Sequence, residues 1–304
     1  MSKRLLPYLA LFVASIIWGI TAPVIKNTLN FVEPLTLLFW RFLFAVVISS
    51  PFLVFYLKKN PIKLSWLPKL FTIAVLGGVL PLILGFYGLK YTSSVEAVLI
   101  GSLSPLSVAI TASFYLKEKL SKKELFGISL AVAGTFSVAI EPFFQAGLAG
   151  DNRLIGNLLI FLSIISWVLC VMLAKHWQKA GMQPFHITSF TFIVGLLILT
   201  PLASIQSGSF PTVDFSNPNI LYPVLYLSIF SSLVAYTLYY MGLARVHAAK
   251  ADIFGYLQGI WAIPIAVLWL KEKVTPFIML GMFLIVCGVV TAEYNAHKRR
   301  KLAH

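Results

Sequence analysis

The sequence is poor in charge and in cysteine, and both shortages limit what the protein can be. Asp, Glu, Lys and Arg make up only 11% of its 304 residues, whereas roughly a quarter of a soluble globular protein is charged. A soluble domain is therefore excluded. The two cysteines, Cys170 and Cys287, both lie inside apolar segments, so they form neither a disulfide framework nor the spacing of a metal site.

Catalytic patterns are also missing. The five histidines have no HExxH spacing, and the chain has no GxSxG motif and no phosphate-binding glycine-rich run. We therefore expect a protein that is not an enzyme and that uses no metal and no cofactor.

Long apolar runs account for most of the chain, which is 59% hydrophobic. A membrane-spanning helix needs about 20 mostly apolar residues, and this rule predicts an all-α integral membrane protein with ten transmembrane helices. Pro34, Pro184 and Pro276 suit first-turn positions. The predicted spans are residues 5–25, 34–57, 67–89, 93–116, 124–140, 154–173, 184–205, 220–243, 248–270 and 276–292.

The formal charge of +14 does not point to nucleic acid, because the basic residues lie between apolar runs rather than along one face. With a cytoplasmic N-terminus, eighteen of the 24 lysines and arginines fall on the inner side, five on the outer side, and Arg41 within a span. This asymmetry predicts the cell inner membrane, both termini cytoplasmic, contact with lipid headgroups and no nucleic-acid partner.

The sequence repeats itself at an offset of 154 residues. The stretch 91–119 ends in Leu116-Lys117-Glu118-Lys119, and the same four residues return at 270–273. Further back, Trp18 matches Trp167 and Pro34 matches Pro184 at slightly smaller offsets. Chance convergence of apolar helices explains single matches, but not matched glycines together with a matched four-residue end. The matched glycines are Gly88 with Gly242, Gly101 with Gly255, Gly127 with Gly281 and Gly134 with Gly288.

A repeat unit of five spans places the second copy upside down in the membrane, and inverted repeats are typical of secondary transporters. We therefore predict two inverted five-helix repeats around a central cavity. Their boundaries are residues 1–147 and 148–296, followed by a basic cytoplasmic tail at 297–304.

Polar, glycine and proline residues at span centres need neighbours or a water-filled cavity. Ser104 and Gln258 are equivalent in the repeat, and so are Gly77-Gly78 and Ser231-Ser232. Matched interruptions of this kind indicate a binding site near the midplane, although close helix packing explains any single small residue. The predicted hinge residues are Gly77, Gly78, Pro81, Pro105, Gly255 and Gly259.

Midspan aromatic residues suit a cavity wall, because a buried indole or phenol must find a hydrogen-bond partner inside the protein. Core packing is the alternative for each of them. Together with the midspan polar residues they form the predicted substrate-binding set: Trp18, Tyr87, Ser104, Trp167, Ser232, Tyr236, Tyr240, Tyr256, Gln258 and Trp261.

Arg41 is the one arginine or lysine well inside a span, which makes it a functional hypothesis by default. We predict a structural charge cluster in which Glu33 and Glu96 are its partners; outward snorkelling is the alternative. Glu96 and Asp252 stand near predicted span starts, where carboxylates complement a helix N-terminus. Glu96 is also a candidate for proton coupling.

The order of several motifs resembles the drug/metabolite transporter superfamily, EamA type. These motifs are Ile17-Trp18-Gly19, the spacing from Glu33-Pro34 to Arg41, and the LeuLysGluLys ends. The resemblance implies a basket in which spans one, three, four, six, eight and nine surround a cavity, with spans five and ten outside. Family members export amino acids and related metabolites, or move nucleotide sugars and sugar phosphates. Arg41 aligns near Thr191, so its role is not duplicated.

Together these patterns predict a secondary transporter that exports amino acids or related small metabolites by alternating access, as a monomer or homodimer. No group of midspan basic residues is present, which argues against phosphorylated cargo. A carrier for a nucleoside, nucleotide sugar or drug-like compound is the alternative. A channel is disfavoured because the polar residues are confined to the span centres.

Overall fold

The computed structural model describes residues 5–115, 122–146 and 152–302, and the regular secondary structure within these ranges is entirely helical. Leu116-Lys117-Glu118-Lys119 and the predicted boundary at 147/148 lie outside the described residues. The helices of the first half are α1 (Leu6–Thr28), α2 (Pro34–Lys59), α3 (Leu67–Ala74), α4 (Leu80–Tyr91), α5 (Ser94–Gly101), α6 (Leu103–Tyr115) and α7 (Lys122–Ala146).

The second half contains the same kinds of element. Its helices are α8 (Arg153–Lys179), α9 (Pro184–Ser207), α10 (Pro218–Tyr226), α11 (Ala235–Arg245), α12 (Ala248–Asp252), α13 (Leu257–Trp269) and α14 (Pro276–Leu302).

Six continuous helices within the described ranges are long and apolar enough to cross a membrane. Four shorter apolar helices, of 10–17 residues, accompany them. Many large hydrophobic side chains on these helices are exposed, including Phe52 and Leu197, as expected where lipid covers the surface. The prediction of a helical, multi-pass membrane protein is confirmed. The six are Leu6–Thr28, Pro34–Lys59, Leu64–Tyr91, Arg153–Lys179, Pro184–Ser207 and Pro218–Arg245.

Several helix ends follow from local chemistry. Pro34 and Pro184 occupy first helical positions, where a missing N–H costs no hydrogen bond. Lys271 adopts a left-handed backbone with φ 58°, and the next amide, that of Glu272, donates to the Ala266 carbonyl at 3.2 Å, closing the end of α13. Helix α14 continues past the predicted span end at residue 292 to Leu302, so most of the predicted tail is helical.

Two long helices widen into π-helical segments. One is Val75–Val79, between α3 and α4, and the other is Leu227–Val234, between α10 and α11. A π turn leaves some carbonyls without the usual α-helical partner, and here side chains from the opposite half use them. Tyr236 donates to the Gly77 carbonyl at 3.2 Å, and Trp18 donates to the Ser231 carbonyl at 3.0 Å.

The two halves pack against each other through matched helices: α4 on α8, α1 on α11, α2 on α9, and α7 on α14. A Cβ added to Gly88 would meet Ile160, and one added to Gly242 would meet Leu11. These glycines let the helices approach closely.

One lysine in each half makes a similar contact with a helix end. The Lys26 ammonium donates to the Leu89 carbonyl at 2.8 Å, and that of Lys175 donates to the Leu243 carbonyl at 2.5 Å. Each lysine thus satisfies carbonyls at the C-terminal end of α4 or α11, where a positive charge is favourable.

Candidate functional site

A cavity of about 280 Å³ lies between the two halves, close to the lower end of the roughly 300–1,000 Å³ typical of ligand pockets. Helices α1, α2, α4, α5, α6 and α8 and the segments from 231 to 258 surround it. Most of its wall is apolar. The polar and aromatic side chains in the wall are Ser15, Trp18, Thr21, Arg41, Phe86, Ser104, Ser163, Trp167, Ser231, Tyr236, Tyr239, Asp252, Phe254 and Gln258.

Four rings, which we call the aromatic cluster, form one side of the cavity: Trp18, Trp167, Tyr236 and Tyr239. The Trp18 ring centre lies 5.8 Å from that of Trp167 and 5.2 Å from that of Tyr236, with the planes nearly perpendicular. Tyr239 lies 5.3 Å from both indoles. These are the separations and angles that aromatic rings prefer, so the cluster forms a well-packed wall.

Arg41 is 1% exposed and reaches the cavity from α2. Its Nε donates to the Ser232 hydroxyl at 2.7 Å, and its Nη2 donates to the Ser231 hydroxyl at 3.2 Å. Its guanidinium carbon lies 5.7 Å from the centre of the Phe86 ring. Nη1 is buried and has no hydrogen-bond partner.

Asp252 provides a carboxylate in the same wall. It is 4% exposed. The Tyr239 hydroxyl donates to its Oδ1 at 2.8 Å, and the Ser104 hydroxyl donates to its Oδ2 at 3.0 Å. Both carboxylate oxygens are therefore hydrogen-bonded, as buried polar atoms require.

The predicted partners of Arg41 are wrong. Glu33 lies 2.6 Å from the Lys90 ammonium. Glu96 lies 3.5 Å from Arg153 and accepts hydrogen bonds from Thr92 and Asn157. Sequence gives the depth of Arg41 along its helix but not the side of the helix it occupies, and that side faces the second π segment.

Asp252 was also misplaced by the sequence. Its predicted role was to complement a helix N-terminus. Asp252 ends α12 and precedes the 3-10 turn Ile253–Tyr256, but its side chain makes no capping hydrogen bond there. Glu96 does lie in the first turn of its helix, where the Ser93 hydroxyl accepts from the Glu96 amide.

The structure brings half of the predicted substrate-binding residues to the cavity wall: Trp18, Ser104, Trp167, Tyr236 and Gln258. Ser232 lies behind the wall, where it binds Arg41. Tyr240 is fully buried, with its hydroxyl 3.5 Å from the Cys170 sulfur.

Tyr87, Trp261 and Tyr256 lie outside the cavity wall, and their role in substrate binding stays a prediction. The Tyr87 hydroxyl accepts from Gln206 at an exposed position. Trp261 packs against Gly19, where an added Cβ would collide with it. The rings of Tyr87 and Trp261 face neighbouring helices. Residue type and depth in the membrane do not reveal which way a side chain points.

The predicted hinge residues lie at irregular helix positions or beside them. Gly77 and Gly78 are in the first π segment, and Pro81 follows it. Gly255 lies in a 3-10 turn, Ile253–Tyr256, that joins α12 to α13. Pro105 and Gly259 lie just after the breaks in their helices. Their bending remains a prediction.

The predicted substrate-binding set lacked several polar wall residues, among them Thr21, Ser231, Tyr239 and Asp252. Thr21 and Tyr239 each stand three positions after a predicted residue, Trp18 or Tyr236, and so share its helix face. That spacing was a usable signal. Asp252 had no such signal in the sequence, although its repeat mate Val98 also lines the cavity. Within the described ranges, no three His, Cys, Asp or Glu side chains are close enough to bind a metal ion together.

Long apolar helices around a cavity that holds buried polar groups define a multi-pass membrane protein of the transporter class. The sequence profile of the EamA-like transporter family matches this chain twice, over residues 5–140 and 154–293. The chain belongs to the EamA-like transporter family, as its motifs predict.

Similar proteins agree with this assignment. The uncharacterized transporter YyaM of Bacillus subtilis is 29% identical over 305 residues, covering 96% of this chain and 94% of YyaM. YetK of the same organism, also an uncharacterized transporter, is 31% identical over 67% of this chain and 61% of its own length. Protein PecM of Dickeya dadantii is 27% identical over 95% of this chain and 93% of PecM.

A solved crystal structure superposes with a TM-score of 0.65 at 17% identity, covering 96% of this chain and 98% of its own. At this identity the likeness concerns the fold alone.

Proposed function

We propose that this transporter carries amino acids or related small metabolites across the cytoplasmic membrane, in the direction of export. The observation that carries the proposal is the presence of Arg41 and Asp252 in one cavity with the aromatic cluster. A guanidinium and a carboxylate suit a small zwitterion, and the rings suit an apolar side chain. Ser104 and Gln258 supply further hydrogen bonds.

In this proposal the ten predicted spans form two inverted five-helix repeats, 1–147 and 148–296. Contacts between residues that the repeat pairs support it. Trp18 contacts its mate Trp167, and Phe42 contacts its mate Phe192 with ring centres 5.1 Å apart. Such mutual contacts are expected along a two-fold axis.

Transport then proceeds by alternating access. The irregular turns at Gly77-Gly78, Pro105 and Gly255 absorb the bending while the cavity opens to one side and then the other. The excess of lysine and arginine in alternate loops supports the inner membrane with both termini cytoplasmic. The functional unit is a monomer or homodimer, with no nucleic-acid partner.

Flux into liposomes tests the proposal. The purified protein is reconstituted, and uptake of labelled amino acids is measured against empty liposomes, with nucleosides and nucleotide sugars as a second panel. We expect saturable uptake of apolar amino acids that falls at least tenfold in Gln258→Leu and Trp167→Ala. Saturable uptake restricted to the second panel would contradict the proposed cargo, and non-saturating flux would indicate a channel.

A further inference from the structure

Among the residues that the structure describes, the guanidinium of Arg41 forms no ion pair with a carboxylate. Both ion pairs found there, Lys90 with Glu33 and Arg153 with Glu96, involve other side chains. Arg41 instead donates to two neutral serines. Burying a cation without a paired carboxylate costs free energy even when hydroxyls partly replace water. Packing alone therefore does not explain why an arginine occupies this position.

The fold does not need a charge at this position. Each half packs its second helix, α2 or α9, against the π segment of the other half. In one of these contacts Arg41 bonds to Ser232; in the other, its mate Thr191 packs against Gly78, the mate of Ser232. A Cβ added to Gly78 would collide with the Thr191 methyl group. The second contact is equally buried, with Thr191 0% exposed, and it contains no charge.

Arg41 also has hydrogen-bond donors that no protein group uses. A guanidinium has five N–H donors, and the protein engages only Nε and Nη2. Nη1 is buried without a partner, although Arg41 belongs to the cavity wall. An unpaired buried donor on a charged group is rare, and an anion in the cavity would satisfy it.

We infer that Arg41 binds the carboxylate group of the cargo, with Ser231 and Ser232 holding the guanidinium in place. The inference rests on the proposed transport function and specifies the recognition chemistry of the same cavity. Arg41 is the one lysine or arginine in the described wall, so the site suits a monoanion rather than a phosphate dianion. The largely apolar wall suits an apolar body attached to that carboxylate.

Binding to purified protein tests the inference separately from transport. The probes are 3-phenylpropionate, L-phenylalanine and L-phenylalaninamide, and the readout is the quenching of tryptophan fluorescence, checked by thermal stabilisation. The wild type should bind 3-phenylpropionate and phenylalanine at least tenfold more tightly than the amide. Equal affinity for acid and amide, or no binding of 3-phenylpropionate, would overturn the inference.

Variants taken from the chain itself sharpen the test. The double variant Arg41→Thr with Ser232→Gly reproduces the uncharged contact of the other half, so it should remain monodisperse while losing the preference for the acid. Arg41→Lys should keep a reduced preference, because an ammonium retains the charge but not the fork of donors. Thr191→Val is the matched control and should bind like the wild type. A tenfold preference that survives in the double variant would overturn the assignment.

The two proposals fail in different ways. If the wild type prefers carboxylates but transports no amino acid, the proposed function is wrong and the role of Arg41 stands. If it transports amino acids but does not distinguish acid from amide, the role of Arg41 is wrong and the proposed function stands.

Discussion

Arg41 and Asp252 are buried ionic side chains in the wall of one cavity, yet the protein satisfies them to different degrees. Each oxygen of Asp252 accepts a hydrogen bond from a hydroxyl group, from Tyr239 and from Ser104. Arg41 has two serine partners and one nitrogen with none. The protein therefore holds both oxygens of the carboxylate in place, which leaves further lone pairs for a cargo ammonium, whereas one nitrogen of the guanidinium has no protein partner. Four predictions test this difference.

The largest loss of stability should follow Asp252→Val, which introduces the residue found at the mate position, Val98. The buried Tyr239 hydroxyl and the partly buried Ser104 hydroxyl would both lose their acceptor, and an unpaired buried group costs roughly 1–3 kcal/mol. We expect the free energy of unfolding, measured by titrating SDS into detergent-solubilised protein, to fall by about 3 kcal/mol. Asp252→Asn is the control, since hydroxyls can rotate to pair with an amide. Equal stability of the Val variant and the wild type would contradict the role of these two hydrogen bonds.

Ser232→Ala should have the next largest effect, because it removes the 2.7 Å acceptor of Arg41 Nε. Hydrogen bonds to charged groups contribute about 1.5–3 kcal/mol, so the free energy of unfolding should fall by about 2 kcal/mol. Ser228→Ala is the matched control. Ser228 lies in the same π segment, but its hydroxyl donates to the Val224 carbonyl of its own helix. If the two variants lose the same stability, the Arg41 contact is not special.

Trp18→Phe removes the indole N–H that bonds the Ser231 carbonyl, and should cost about 1 kcal/mol. Trp40→Phe removes a similar bond, to the Pro211 carbonyl at 2.8 Å, away from the cavity. Both should show the same fall in thermal unfolding temperature. The two differ in ligand binding, because only Trp18 adjoins the serines that hold Arg41. A loss of 3-phenylpropionate affinity in Trp40→Phe would contradict this assignment.

The smallest change in stability should follow Arg41→Met, even though Arg41 has the largest fully buried side chain described. Methionine removes the cost of burying a cation without an ion-pair partner, which offsets the two hydrogen bonds to serine that are lost. We expect the free energy of unfolding to stay within about 1 kcal/mol of the wild type, while the preference for carboxylates disappears. A loss of several kcal/mol would make Arg41 a structural residue.

Much of the architecture could be predicted from the sequence, because long apolar runs and a membrane-length rule determine helices almost alone. The place of Trp18 and Trp167 in the cavity wall could also be predicted, since a midspan indole needs an internal hydrogen-bond partner. Which helix a side chain faces is a different matter. Tyr87 and Tyr236 are both tyrosines within apolar spans, yet one faces α9 near an exposed end and the other faces the cavity.

The partners of Arg41 show the limit most clearly. Opposite charges at a similar depth favoured Glu33 and Glu96, but long-range pairing depends on the rotation of each helix about its axis. That rotation shifts after a π turn, and the sequence shows only a cluster of small residues there. The role of Asp252 was mispredicted for a related reason, because the sequence did not show that the predicted span 248–270 breaks after residue 252.

The π segments have a consequence for how the backbone can move. A wide turn can pass along a helix by exchanging one hydrogen bond at a time, so the residues on either side rotate while the helix stays continuous. In this protein the carbonyls at both wide turns are held by side chains of the opposite half, Tyr236 at Gly77 and Trp18 at Ser231. If either turn migrated, the side chain bonded to it would therefore exchange its carbonyl acceptor for a neighbouring one. Amide hydrogen exchange at 75–79 and 227–234 would report such migration directly, residue by residue.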